Sequence, residues 1–183
     1  MLGAHTIILP KELGLSFDFE EDKPTFTENA LGKALALAES APKNMVVLAD
    51  DSGLCVDALG GGPGVRTARY GMETFGRQLE SDERNTFLLE NLAHLKSPSE
   101  RSAQFVCALA LVVDKHRIFT ICESVHGQIA ATGYGKGGFG YDPVFHVTEA
   151  GKTMAELTDD EKDHYSHRGR ATRHLITLLG EIS

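Results

Sequence analysis

Cysteine is scarce in this chain of 183 residues: Cys55, Cys107 and Cys122 are odd in number and lie in apolar runs. That excludes a paired disulfide framework and predicts free, buried thiols in a reducing compartment. Positive charge is also short, with 18 Lys and Arg against 26 Asp and Glu, so the net charge is −8. A general nucleic-acid or membrane surface is excluded on that balance, and a phosphate ligand requires a local cationic pocket. No run of about 18 apolar residues occurs and no cationic-then-apolar leader opens the chain. The expectation is a cytoplasmic protein without a membrane span. Zinc spacings of the CxxC or HExxH type are missing, as is a Ser/His/Asp nucleophile set. What remains is ordinary for a globular domain: 42% hydrophobic and 24% charged residues, enough to bury a core.

The most informative stretch is Leu48-Ala49-Asp50-Asp51-Ser52-Gly53. The apolar run Met45–Ala49 reads as a strand buried on both faces, ending in an acidic elbow, with a second short strand over 54–57. Ligands of open α/β sheets bind at the carboxyl ends of strands. Two carboxylates placed there suit a hard cation such as Mg²⁺, which takes one or two protein carboxylates when phosphates complete its shell.

Ahead of it, His5–Leu9 reads as a short strand closed by Pro10, and 17–22 as an acidic loop holding Glu20 and Glu21. Thr25-Phe26-Thr27-Glu28 fits a capping box, predicting a helix to Ser40. Leu31, Leu35 and Ala38 would be its buried stripe. Asn29 and Lys33, four apart on the opposite face, form either a solvated back or an amide and an ammonium aimed at a ligand.

Beyond the elbow, Gly60–Gly64 must be a loop but lacks the following Lys-Ser/Thr of a P-loop. A helix is expected over 82–95, then an antiparallel hairpin of 102–113 and 118–131. Five glycines within 133–140 exclude a regular element and free the backbone to approach a ligand. Phe139 and Tyr141 offer flat faces and Asp142 an acceptor, as a purine ring requires; a plain turn with two core aromatics would look alike. A short strand is expected over 143–147. Thr158-Asp159-Asp160-Glu161 is a second capping box. Ser166 is expected to cap a last helix whose opening residues, His167 and Arg168, join Lys162 in a cationic cluster suited to an anion. Ala171, Leu175, Leu178, Leu179 and Ile182 give that helix its core face. Strands and helices alternate early and strands dominate later, which predicts a mixed α/β fold in one domain.

Five segments together carry a resemblance: Thr25–Ala34, Ala49–Gly53, Leu59–Tyr70, Gly137–Pro143 and Ser166–Gly169. In this order and spacing the chain resembles the inosine triphosphate pyrophosphatase family, which acts on the deaminated purine nucleotides dITP, ITP and XTP. The resemblance implies a central sheet with flanking helices in two lobes, a cleft between them, and a homodimer. It implies Mg²⁺-dependent cleavage between the α- and β-phosphates, giving a nucleoside monophosphate and pyrophosphate. Carried over by position, Asp51 is proton acceptor and Mg²⁺ ligand, Glu21 (or its neighbour Glu20) the second metal position, and Lys33 a triphosphate ligand. Ser52, Phe139, Gly140, Tyr141, Asp142, Lys162, His167 and Arg168 match substrate-binding positions. The family's opening strand, Thr/Ser-x-Asn-x-x-Lys loop and first helix have no counterpart before Leu2. The corresponding alternative is a purine-nucleotide-binding protein of weak or no activity.

Overall fold

The computed structural model describes residues 5–182. Its regular elements are α1 (Phe26–Ser40), β1 (Val47–Val56), α2 (Met72–Phe75), α3 (Ser81–Asn91), β2 (Ser102–Asp114), β3 (Arg117–Ile129), β4 (Phe145–Val147), β5 (Lys152–Thr153), α4 (Asp159–Tyr165) and α5 (His167–Ile182). The strands form one sheet in the order β1-β2-β3-β4-β5. β2 and β3 are joined by the two residues Lys115 and His116, so they form the expected antiparallel hairpin. Asp114 closes that turn: its Oδ1 accepts from the backbone N–H groups of His116 and Arg117 at 2.8 and 3.0 Å. β4 runs antiparallel to β3, with Gln128 opposite His146, and β5 antiparallel to β4. The fold is therefore α/β, as the alternation of patterns predicted.

Contacts divide the chain into two compact units. The first comprises Met1–Ser52, Cys107–Glu123 and Ala171–Ser183. Its core joins Cys107, Leu109 and Leu111 of β2 to Ala171, Leu175 and Leu179 of α5, the helix face expected from spacing. The second comprises Gly53–Val106 and Ser124–Arg170. Its core gathers Leu54, Leu88, Leu92, Phe105, Ile129 and Phe145, with Phe105 and Phe145 rings 4.6 Å apart. Arg101 is buried in this unit, and its guanidinium bonds to backbone rather than to an acid. Its Nε and a terminal nitrogen donate to the carbonyls of Ile129 and Ala130, at 2.9 and 3.0 Å. Such charge-assisted bonds offset the loss of hydration and fasten the end of β3 to the start of β2.

Several local expectations change. Residues 6–9 form no strand, and Ile7, Ile8 and Leu9 are exposed; Pro10–Leu13 is a 3₁₀ turn. The supposed elbow is absent. β1 continues through both aspartates to Val56, because Gly53, Leu54 and Val56 are buried and prolong the apolar pattern. α1 begins where its capping box predicts, with Thr25 Oγ1 accepting from Glu28 N–H, but its buried side is Phe26, Asn29, Ala30 and Ala34. Leu35 is exposed, so the helix is rotated from the stripe that leucines alone suggest. Only Cys107 of the three free thiols is buried; Cys55 is partly covered and Cys122 exposed.

One contact of the first unit sets up the site. A Cβ at Gly32 would lie 2.5 Å from the ring of Phe19, closer than real Cβ atoms come. The missing methyl lets Phe19 lie on α1 and seats the acidic loop against the helix. Gly32→Ala should displace Phe19 and Glu21 with it, read as loss of the Glu21–Lys33 contact in a crystal structure. Phe145→Ala, at a fully buried core position, should lower stability by about 3–5 kcal/mol in urea unfolding.

Candidate functional site

The first cluster is built on the pleat of β1 and one face of α1. Successive strand side chains alternate, so adjacent acids take opposite faces. Asp51 is buried and Asp50 exposed. Ser52 lies on the Asp50 side, its hydroxyl donating to Asp50 Oδ2 over a long 3.4 Å. Against Asp51 lie Asn29 and Lys33, one helical turn apart. Asn29, fully buried, donates from Nδ2 to Asp51 Oδ2 at 3.0 Å. Its Oδ1 accepts from the backbone N–H of Lys23 at 3.0 Å, so one amide ties the acidic loop to the strand acid. Lys33 Nζ stands 2.6 Å from Glu21 Oε1 and 3.9 Å from Asp51 Oδ1. Of the two loop acids, it is therefore Glu21 that shares a cation with Asp51.

Burial pushes the Asp51 carboxyl above its usual range. The Asn29 hydrogen bond and the Lys33 charge act against that rise, and the nearby Glu21 adds to it. Two carboxylates converging on one ammonium are electrostatically suited to a divalent cation as well. The described residues hold no group of three or more His, Cys, Asp or Glu able to cage a metal. A Mg²⁺ held by Asp51 and Glu21, with water and phosphate completing its shell, fits that donor set.

The second cluster is the glycine-rich loop and the turn between α4 and α5. Gly138 has φ +78°, and a Cβ there would collide with the Asp142 carboxylate and the Lys162 ammonium. The bare backbone lets these two meet at 2.9 Å, with Asp142 nearly covered. The same carboxylate oxygen accepts from Phe139 N–H at 3.1 Å, which fixes the loop tip. Phe139 itself stands out, 69% exposed, with the Arg168 guanidinium 5.3 Å from its ring centroid. One aromatic face is thus backed by a cation.

Tyr141 differs from Phe139: it is 4% exposed and belongs to the core. Its hydroxyl donates to the Thr67 carbonyl at 2.8 Å, and Arg84 lies 5.9 Å above its ring. It anchors the loop, whereas Phe139 presents it. Gly140 is held from α3, where Asn85 Nδ2 donates to its carbonyl at 3.0 Å. His167 is buried and stacks on Phe105, centroids 4.9 Å apart and planes 9° from parallel. Ser166 caps α5, its hydroxyl accepting from Gly169 N–H at 3.0 Å. A Cβ at Gly169 would strike the Asp163 carbonyl, so glycine lets α5 start this close to α4.

Each cluster therefore assembles from residues that sequence reasoning named: Glu21, Lys33 and Asp51 in one, Phe139, Gly140, Tyr141, Asp142, Lys162, His167 and Arg168 in the other. Asn85, Thr67 and Arg84 were missed. For Asn85 a signal existed: it is polar at a position that shares a helix face with Leu88 and Leu92, where an apolar residue is expected.

Comparison with known proteins places these features. The dITP/XTP pyrophosphatase of Treponema denticola is 46% identical over 173 residues, spanning 93% of this chain and 85% of that protein. The dITP/XTP pyrophosphatase of Thermus thermophilus is 50% identical over 157 residues, spanning 86% and 72%. Among solved structures, the Ham1 protein of Staphylococcus aureus superposes with a TM-score of 0.84 at 37% identity, covering 98% of this chain and 88% of that one. A Ham1 protein from Coxiella burnetii gives 0.80 at 40% identity, covering 90% and 81%. The family's sequence profile matches residues 2–178, and the chain is a member of the Ham1 family.

Proposed function

We propose that this protein hydrolyses deaminated purine nucleoside triphosphates (dITP, ITP and XTP) to the nucleoside monophosphate and pyrophosphate, removing them from the nucleotide pool. The observation that carries the reading is the buried Asp51, clasped by Asn29 and facing the Lys33–Glu21 pair, in a chain whose relatives are named dITP/XTP pyrophosphatases.

The residues divide the work. Asn29 occupies Asp51 Oδ2 and leaves Oδ1 to the reaction. A carboxylate raised by burial is a stronger base than one in water, so Oδ1 accepts the proton of the attacking water. Asp51 and Glu21 are the residues that would hold Mg²⁺, which when bound neutralises phosphate charge and acidifies water. Two lone-pair demands thus fall on Asp51, and the fixing of Oδ2 keeps the carboxylate in one orientation for both. Lys33 exchanges its Glu21 partner for a phosphate oxygen. On the loop, the open face of Phe139 stacks on the base. Asp142 and Lys162 set an acceptor beside a donor for the purine edge, with His167 and Arg168 as cationic neighbours. Ser52, on the Asp50 side, is a further substrate contact. One catalytic domain over 1–183, a homodimer and cytoplasmic action complete the proposal; no described helix is long and apolar enough to cross a membrane.

The test is direct. Incubation with ITP and Mg²⁺ should release pyrophosphate and IMP; orthophosphate as first product would refute the reaction. Chelation should stop turnover and added Mg²⁺ restore it. Asp51→Asn should lower the rate at least about a hundredfold.

The pH dependence has a definite sign. The base works ionised, so kcat/KM should rise with pH through an apparent pKa above that of an ordinary aspartate. For stability the direction reverses. A carboxyl raised by folding favours the folded state below its unfolded pKa, and that contribution is lost as pH rises through the folded value. Asp51→Asn should therefore melt higher than the parent at neutral pH, and the gap should close near about pH 4. A variant no more stable at neutral pH would refute the burial argument.

A further inference from the structure

Asn85 carries a polar group where stability alone asks for none. It lies on the buried face of α3, 7% exposed, one turn before Leu88. Its Nδ2 donates to the Gly140 carbonyl at 3.0 Å, while its Oδ1 is buried with no hydrogen-bond partner among the described residues. An unmet buried acceptor is unfavourable, and leucine would fill the volume without it. What the amide gains is control of one peptide group.

Gly140 has φ +60° and open space where a Cβ would be. Nothing steric fixes the peptide plane that follows it. In a trans peptide the C=O and the next N–H point in opposite directions. With the carbonyl turned to α3 by Asn85, the Tyr141 N–H is turned to the other side, and it has no acceptor among the described residues. A flip of this plane would exchange the exposed donor for an exposed acceptor.

We propose that Asn85 is a specificity-determining positioning residue: by holding the Gly140 carbonyl it keeps the Tyr141 N–H presented as a donor, which selects a purine bearing an oxo oxygen over one bearing an amino group. The inference rests on the base-binding reading of the loop given above. An oxo group accepts from the N–H. The amino group of adenine, itself a donor, is left facing a donor, which is the stronger form of discrimination.

The experiment compares IMP and AMP binding by calorimetry, and ITP and ATP turnover, in the full chain and two variants. Asn85→Leu removes the tether and also the orphan acceptor. It should melt at or above the parent temperature, yet lose about three- to tenfold in the IMP:AMP affinity ratio, the worth of one neutral hydrogen bond. Asn85→Asp replaces the donor with a carboxylate that repels the Gly140 carbonyl and attracts the Tyr141 N–H. It should drive the flip and lower the ratio further than leucine does. A ratio within twofold of the parent in both folded variants would overturn the proposal. A parent chain that binds IMP while the variants are unchanged sinks this inference alone. A parent chain that neither binds IMP nor cleaves ITP sinks the base reading, and this inference with it. If Asn85→Leu does not fold, the aspartate variant still decides the sign.

Discussion

A carboxylate taken out of water must be compensated where it stands, and in this protein the compensation for Asp51 comes chiefly from one side-chain amide. The Asn29–Asp51 bond joins α1 to β1 at the point where the strand's apolar pattern is interrupted. The same side chain receives the Lys23 backbone, so helix, strand and acidic loop meet at one planar group. Remove that group and the acid loses its side-chain donor, keeping a cation 3.9 Å away that is also committed to Glu21. The position of Glu21, the orientation of Asp51 and the place of Lys33 all follow from what Asn29 holds.

Space is the second constraint, and glycine supplies it. At Gly32 a ring lies where a methyl would be, at Gly138 an ion pair, at Gly169 a carbonyl. None of these contacts is a turn requirement alone; each is a close approach that any side chain would forbid. The ion pair is the most consequential, because Asp142 serves Lys162 and the Phe139 N–H with one oxygen. A displaced carboxylate would release the loop tip and the ammonium together.

Much of this was legible from residues in a row. Both capping boxes begin helices where they predict, since a hydroxyl and an acid three residues apart satisfy the same N–H groups in any context. The hairpin and the core face of α5 follow from periodicity. Where reading failed, distant packing had decided. The aspartates looked like the end of a strand because acids rarely occupy strand interiors, yet β1 passes through them, and Asn29 makes that tolerable from 22 residues away. The side of α1 that turns inward is chosen by small alanines and a buried asparagine rather than by its leucines, a preference that only the partner surface reveals. Asn85 was overlooked for the same reason: its partner lies 55 residues on.

The phenol of Tyr141 has a quieter implication. Enclosed by core side chains, it resists losing its proton well beyond the usual tyrosine range, with burial as the dominant cause. Its bond to the Thr67 carbonyl needs that proton, because a phenolate would have nothing to donate. The aromatic loop is therefore fastened by a link that alkali does not undo. Any decline in activity on the basic side must begin elsewhere, in the surface cations or the substrate rather than in the mooring of the loop.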